Sequence, residues 1–186
     1  MRILARVGVE LDEALYRELF LVQARGAWHL AEAAGVDAAV LEQLKHARNE
    51  RYTELLLSHD VLVPGVLGML DRLRAHYRMA IVTSSRRVHF DAIHRTSGLP
   101  ARFELILARE DYENSKPDPE PYLTALSRLN VAAGECLVIE DSERGLSAAH
   151  AAGIRAWALP SSLTRASSFA LAERQFASLA ELVQAL

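Results

Sequence analysis

The chain of 186 residues has a single cysteine, Cys136, so no disulfide can form within it. That usage suits a reducing compartment, and we expect a cytoplasmic protein. No apolar run approaches the roughly 20 residues that cross a membrane, and the first residues lack the apolar core of a signal peptide. The net charge is −3, so neither nucleic acid nor a membrane surface is indicated as a partner. We expect a monomer or a weak homodimer.

The first part of the chain, residues 1–62, has only helical periodicity. One helix is predicted from Asp12, which can cap its start, to Gly35, a residue suited to the position after a helix. A second helix is predicted after Asp37, its expected N-cap. The apolar residues at helical spacing are Leu15, Leu19 and Val22 in the first helix and Val40, Leu41, Leu44 and Leu55 in the second.

The second part, residues 63–186, alternates apolar runs with amphipathic segments. The runs MAIVTSS, FELILA, ECLVIED and IRAWAL predict four strands, and the segments between them predict helices. This alternation is typical of βαβ units with right-handed crossovers and a parallel sheet. The predicted fold class is therefore α/β with a parallel-sheet, Rossmann-like core. Ligands of such sheets bind beyond the carboxyl ends of the strands.

Hydroxyl groups end the first of these strands, at Thr83, Ser84 and Ser85. Hydroxyls and free main-chain N–H groups at the start of the next helix can bind an anion. Capping of that helix by Ser84 or Ser85 is the simpler interpretation of the serines.

A lysine lies in a rigid turn after the second strand, in the segment SKPDPEPY. Pro117 and Pro119 stiffen the chain around Lys116, so its ammonium can be held at one point and neutralise a phosphate or a carboxylate. A lone loop lysine is otherwise most often solvated.

Two adjacent carboxylates, Glu140 and Asp141, end the third strand in VIEDSERG. Carboxylate oxygens at a strand end suit Mg²⁺. The alternative is that Asp141 caps the next helix while Glu140 pairs with an arginine. Gly145 begins a face of small residues that predicts close packing of this helix on the sheet, without a chemical role. Together the three strand ends describe a phosphate pocket beside a magnesium ion.

These motifs resemble the haloacid dehalogenase-like hydrolase superfamily, in the branch of beta-phosphoglucomutase and phosphoglycolate phosphatase. IVTSS resembles its second motif, SKPDPEPY its lysine motif and VIEDSERGLSAAHAAG its acidic motif. The resemblance implies a partial helical cap at residues 1–62 and a hydrolase core at residues 63–186.

The resemblance also implies roles for individual residues. Thr83 and the Ser84 main chain would bind the phosphoryl group, and Lys116 would bridge that group and the nucleophile. Glu140 and Asp141 would hold Mg²⁺. Arg48 and Asn49 would read the substrate from the cap, although a solvated helix face is an equal alternative for Arg48.

One family motif is absent from the chain. The family carries its nucleophile in Asp-x-Asp-Gly-Thr after a central first strand, and this sequence contains no Asp-x-Asp. Asp12, Asp37, Asp60 and Asp71 lie in helical or pre-helical contexts without the glycine turn. A core lacking the first strand would have a gap between the strands ending at Thr83 and Asp141. That gap could reflect upstream residues absent from this sequence, could close by direct pairing, or could be filled by RILARVG or another chain, although RILARVG has helical spacing.

The function expected from these observations is a Mg²⁺-dependent phosphatase or phosphomutase acting on a small phosphorylated metabolite. The missing nucleophile predicts little or no turnover by this chain. The alternatives are a truncated fragment and a non-catalytic module that binds phosphate and metal.

Overall fold

The structure is a computed structural model that describes residues 3–23, 25–59 and 62–186. It contains two compact units, Met1–His59 and Asp60–Leu186. Asp60, one of the aspartates considered above, lies outside the described residues. None of the described helices is long and apolar enough to cross a membrane.

The first unit is helical throughout its described residues. A 3₁₀ turn, Leu4–Val7, is followed by helix α1 (Glu13–Tyr16), which runs on into a π-helical turn, Arg17–Val22. Helices α2 (Trp28–Ala33) and α3 (Ala38–Ser58) complete the unit. The predicted caps are confirmed, because Asp12 accepts a hydrogen bond from Leu15 N at 2.7 Å and Asp37 accepts one from Ala39 N at 2.8 Å.

Two details of this helical region differ from prediction. The single helix expected before Gly35 is interrupted, because Gly26 adopts a positive φ of 71° just before α2 begins. Leu19, Leu41 and Leu44 are buried as the spacing predicts. Val22, Val40 and Leu55 are exposed instead, since the interrupted helix and the length of α3 leave these positions without a covering layer.

The second unit alternates helices and strands. Its helices are α4 (Val66–Leu73), α5 (Arg87–His94), α6 (Glu120–Leu129), α7 (Glu143–Ala151) and α8 (Leu179–Gln184). Its strands are β1 (Ala80–Val82), β2 (Leu105–Leu107), β3 (Leu137–Glu140), β4 (Arg155–Ala158) and β5 (Arg174–Gln175). The two-residue strand β5 has too little apolar sequence to be predicted.

The strands pair in parallel, as the βαβ pattern predicts, but they form two small sheets. One sheet has the order β1-β2 and the other the order β3-β4-β5. Direct pairing of the strands that end at Thr83 and Asp141 does not occur in the described residues, so β1 and β3 each keep one free edge. Ile139, in the middle of β3, is 41% exposed. The described part of RILARVG is a 3₁₀ turn rather than a strand.

The main core of this unit lies between α6, α7 and strands β3 and β4. Small side chains let α7 approach the sheet, since Ala148, Ala149 and Ala158 are fully buried. Leu146 and Tyr122 fill the remaining space from α7 and α6. This packing fixes the carboxyl end of β3 against the start of α6.

Candidate active site

The loop after β1 carries the first predicted anion-binding residues. Thr83 continues the pairing with β2 through its N–H, which donates to Leu107 O at 2.9 Å. Its hydroxyl accepts a hydrogen bond from Ser85 N at 3.1 Å, and its carbonyl accepts one from the hydroxyl of Tyr112 at 2.9 Å. Ser84 is exposed, and its N–H has no partner among the described residues.

Neither serine caps the helix that follows, so the simpler interpretation of Ser84 and Ser85 was wrong. The N-cap position of α5 is Arg86, without a side-chain capping bond. The carboxylate of Glu110 takes this place, accepting a hydrogen bond from Arg87 N at 2.8 Å. The N–H of Ser84 is thus a donor that the described loop leaves available to an anion.

Lys116 is buried, in contrast to an ordinary loop lysine, with 7% of its surface exposed. Its ammonium donates to the carbonyl of Val82 at 2.9 Å, to the hydroxyl of Tyr122 at 3.0 Å and to Oε1 of Glu140 at 2.5 Å. The ammonium also lies 4.6 Å from the centre of the Tyr122 ring. Lys116 thus joins the carboxyl end of β1 to that of β3.

The Glu140 carboxylate is hydrogen-bonded on both oxygens. Oε1 accepts from Lys116 and from the Tyr122 hydroxyl at 2.7 Å, and Oε2 accepts from the Ser142 hydroxyl at 3.0 Å and from Asp141 N at 3.2 Å. Burial opposes ionisation, but the Lys116 charge and these hydrogen bonds hold the pKa of Glu140 below its usual value. Glu140 pairs with a lysine here, and the alternative of an arginine partner was wrong.

Tyr122 is the residue that the sequence analysis missed. Burial, followed by the Glu140 charge, raises its pKa well above the usual value, so the hydroxyl stays protonated and serves as a donor. Its place in SKPDPEPY, six residues after Lys116, put both on one rigid segment. The proximity of Tyr122 to Lys116 could be read from the sequence. An aromatic residue at the start of an amphipathic helix, however, cannot be distinguished by sequence from one that only packs in the core.

Asp141 has a different environment from its neighbour. No other described residue donates a hydrogen bond to its carboxylate, and burial together with the Glu140 charge raises its pKa. It does not cap α7, because Ser142 does so by accepting a hydrogen bond from Gly145 N at 3.1 Å. An open cavity of about 320 Å³ adjoins it, lined by Val82, Ile139, Glu140, Asp141 and Leu159.

Gly145 allows close packing of α7 against the end of β3. A Cβ built at this position would overlap the carboxyl group of Glu140. The Glu140 carboxylate lies directly on the first turn of α7, and it fits there because Gly145 has no side chain. The close packing predicted for Gly145 therefore includes the Glu140 carboxylate.

The carboxylates of this pocket fit a magnesium ion chemically. Asp141 offers an unpartnered oxygen donor beside Glu140, and its raised pKa indicates that a nearby cation would stabilise the charged form. Mg²⁺ commonly uses one or two protein carboxylates and completes its shell with water and phosphate oxygens. The described residues contain no group of three His, Cys, Asp or Glu side chains that could hold a metal alone.

Arg48 and Asn49 lie on α3 of the helical unit. Arg48 is exposed, and its guanidinium lies 5.8 Å from the centre of the Trp28 ring. Trp28 packs against the core of that unit. A substrate-reading role for Arg48 and Asn49 stays a prediction.

Residues 18–159 match the family described as haloacid dehalogenase-like hydrolase. The chain belongs to the haloacid dehalogenase-like hydrolases. The resemblance of the motifs and the α/β fold are thereby confirmed at the level of the family.

Individual members of this hydrolase family are similar over most of the chain. The protein CbbY of Rhodobacter capsulatus is 39% identical over 145 residues, which are 75% of this chain and 64% of that protein. A phosphorylated carbohydrates phosphatase of Thermotoga maritima is 31% identical over 159 residues, covering 82% of this chain and 71% of the phosphatase. The crystal structure of CbbY from Rhodobacter sphaeroides in complex with xylulose-(1,5)bisphosphate superimposes with a TM-score of 0.79 at 29% identity, covering 97% of this chain and 85% of CbbY.

Proposed function

We propose that this chain forms the phosphate- and metal-binding part of a Mg²⁺-dependent phosphatase that acts on a small phosphorylated sugar. The observation that carries the proposal is the Lys116–Glu140 pair, held between the ends of β1 and β3 beside an open cavity. The substrate class is supported by two relatives, one a phosphatase of phosphorylated carbohydrates and the other bound to xylulose-(1,5)bisphosphate.

Each residue of the pocket has a proposed task in binding the phosphoryl group. The hydroxyl of Thr83 and the free N–H of Ser84 donate hydrogen bonds to phosphoryl oxygens. The ammonium of Lys116 supplies positive charge at the same strand end, where burial strengthens its attraction for an anion. Arg48 and Asn49 contact the sugar.

Glu140 and Asp141 would hold the magnesium ion, directly or through water. When bound, the ion neutralises charge on a phosphoryl oxygen. Asp141 is the better direct ligand of the metal, because both carboxylate oxygens of Glu140 already accept hydrogen bonds from the protein.

We propose no residue of this pocket as the nucleophile. Transfer through a phospho-enzyme needs a carboxylate in line with the leaving group. Glu140 cannot attack while it is paired with Lys116, and Thr83 has no base among its described partners. We therefore expect phosphate binding with little or no turnover by the 186-residue chain.

Titration calorimetry with inorganic phosphate and Mg²⁺ tests this function. The two lysines of the chain, Lys45 and Lys116, provide a matched pair of variants. We expect saturable binding of one phosphate per chain, loss of that binding in Lys116→Met, and unchanged binding in Lys45→Met. Absence of saturable phosphate binding by a monodisperse, folded chain would contradict the proposal.

The second candidate function is a non-catalytic module that binds phosphate and metal. It is favoured by the absence of Asp-x-Asp from the sequence. A longer chain in which an apolar strand and Asp-x-Asp-Gly-Thr precede residue 1 separates the two candidates. Hydrolysis of an aryl phosphate by that chain supports the phosphatase, and inactivity despite phosphate binding supports the module.

A further inference from the structure

Arg144, in the first turn of α7, contacts the main chain of the lysine loop. Its Nη2 donates a hydrogen bond to the carbonyl oxygen of Lys116. Its Nε is buried and has no hydrogen-bond partner among the described residues. Among the described residues, no carboxylate forms an ion pair with the guanidinium.

Partial burial is unfavourable for the Arg144 guanidinium, and its contact with the Lys116 carbonyl offsets only part of that cost. Burial lowers the pKa of Arg144, which means that the charged form loses hydration when the chain folds. An Arg144 side chain that extended into solvent would avoid this loss of hydration, and the helix propensity of the residue would be unchanged. Among the described residues, the hydrogen-bond partner of this partly buried side chain is the carbonyl of Lys116, the residue whose ammonium reaches Glu140.

Lys116 is therefore held at both ends. Its ammonium is bound by groups from β1, α6 and β3, and its carbonyl is bound by α7. Arg144 is four residues after Glu140 along the β3–α7 connection, so the contact ties the lysine loop to the same segment that presents the carboxylate. Main-chain movement at Lys116 would otherwise let the ammonium leave the strand ends.

We propose that Arg144 is a positioning residue, which fixes the main chain of Lys116 and thereby sets the ammonium in place for an anion. The effect of Arg144 on phosphate binding rests on the proposed function. The contact itself can be tested without phosphate. A positioning role predicts that Lys116 becomes mobile when the guanidinium is removed, while the rest of the unit keeps its structure.

Amine acylation followed by peptide mass spectrometry measures the accessibility of Lys116 directly. Lys45 is the internal reference, since it lies on α3 in an exposed ion pair with Glu42. In the unaltered chain we expect Lys116 to react at least about ten-fold more slowly than Lys45. In Arg144→Met we expect the rate at Lys116 relative to Lys45 to rise by about five-fold.

Arg102→Met is the matched control. Arg102 also binds a carbonyl, that of Gly98 at 2.6 Å, and forms an ion pair with Asp71 at 2.7 Å, away from the lysine loop. Its loss lowers stability without touching Lys116, so the ratio of the two lysine rates should stay within about two-fold. Arg144→Lys, which retains a cationic donor, should restore protection in part, and it serves as the test if Arg144→Met does not fold.

Phosphate calorimetry on the same variants separates this proposal from the function on which it rests. We expect Arg144→Met to weaken phosphate binding by about ten-fold, because the ammonium is no longer preorganised. If the unaltered chain binds no phosphate, the proposed function fails, and the acylation ratio still decides the role of Arg144. A ratio in Arg144→Met within two-fold of the unaltered chain would overturn the positioning role.

Discussion

The ammonium of Lys116 lies 2.5 Å from Oε1 of Glu140, and both side chains are more than nine-tenths buried. Two buried opposite charges in contact are costly to separate, because either one alone would lack compensation. This pair links the lysine turn to the end of β3, across the gap between the two sheets. The stability of the unit and the chemistry of the pocket therefore depend on the same contact.

Lys116→Met should be strongly destabilising, since it leaves the buried Glu140 charge unpaired. We expect the free energy of unfolding, measured by urea denaturation, to fall by about 3–5 kcal/mol. Adding Glu140→Gln should recover most of that loss. Lys45→Met, which breaks an exposed pair, should cost less than about 1 kcal/mol. A double variant no more stable than Lys116→Met would contradict the coupling.

Tyr122→Phe removes the hydroxyl that donates to Glu140 and accepts from Lys116. We expect the free energy of unfolding to fall by about 1.5–3 kcal/mol, the usual contribution of a hydrogen bond to a charged group. Tyr77→Phe is the control, because the Tyr77 hydroxyl binds a carbonyl at the exposed chain end. Equal losses in both variants, compared in the same denaturation assay, would argue against a special role for Tyr122.

Gly145→Ala should displace the Glu140 carboxylate, because the added methyl group would overlap it. We expect a loss of stability of about 1–3 kcal/mol and weaker phosphate binding in calorimetry. Gly68→Ala provides the opposite case, since Gly68 lies within α4 with open space around it. That variant should gain about 0.5–1 kcal/mol from helix propensity. Unchanged phosphate affinity in Gly145→Ala would exclude the overlap as a functional constraint.

Asp141→Asn should separate metal binding from stability. At neutral pH we expect a gain of up to about 1 kcal/mol, because the variant removes a partly buried charge and its repulsion with the Glu140 charge. Mg²⁺ at ten times its Kd should raise the unfolding free energy of the unaltered chain by about 1.4 kcal/mol. The variant should lose that increment in thermal unfolding with and without Mg²⁺. An undiminished Mg²⁺ effect would remove Asp141 from the metal site.

Asp111→Asn should change how stability depends on pH. A hydrogen bond from Ala108 N, followed by the hydrogen bond and charge of Arg87 and the charge of Arg128, lowers the pKa of Asp111 from its ordinary value in the folded chain. Asp111 therefore stabilises the fold above its unfolded pKa, and this contribution is lost as the pH falls through the folded pKa. We expect the variant to be about 1–2 kcal/mol less stable at pH 7. The difference between the two unfolding curves should shrink below about pH 4, and a constant difference would contradict the assignment.

Sequence patterns predicted much of the local structure. The N-caps Asp12 and Asp37 were recognisable because a side chain that bonds its own helix needs only a few residues of context. The parallel orientation of the strands, found for β1 with β2 and for β3 with β4, followed from the alternation of apolar strands with helices along the chain. The strand-end residues Thr83, Lys116, Glu140 and Asp141 were recognisable because parallel strands present their carboxyl ends at one edge.

Tertiary structure alone decided how these groups are paired. The hydroxyl of Tyr122, the carbonyl held by Arg144 and the bare backbone of Gly145 each act on a residue distant in sequence, and nothing in their local pattern distinguishes them from ordinary packing. The same holds for Val22, which has helical spacing but is exposed. Periodicity reports which face of an element is apolar, whereas contacts between elements depend on how the faces meet in space. The sequence therefore determined the elements and the kind of chemistry at their ends, and the packing of α6 and α7 on β3 determined which charges share a hydrogen bond.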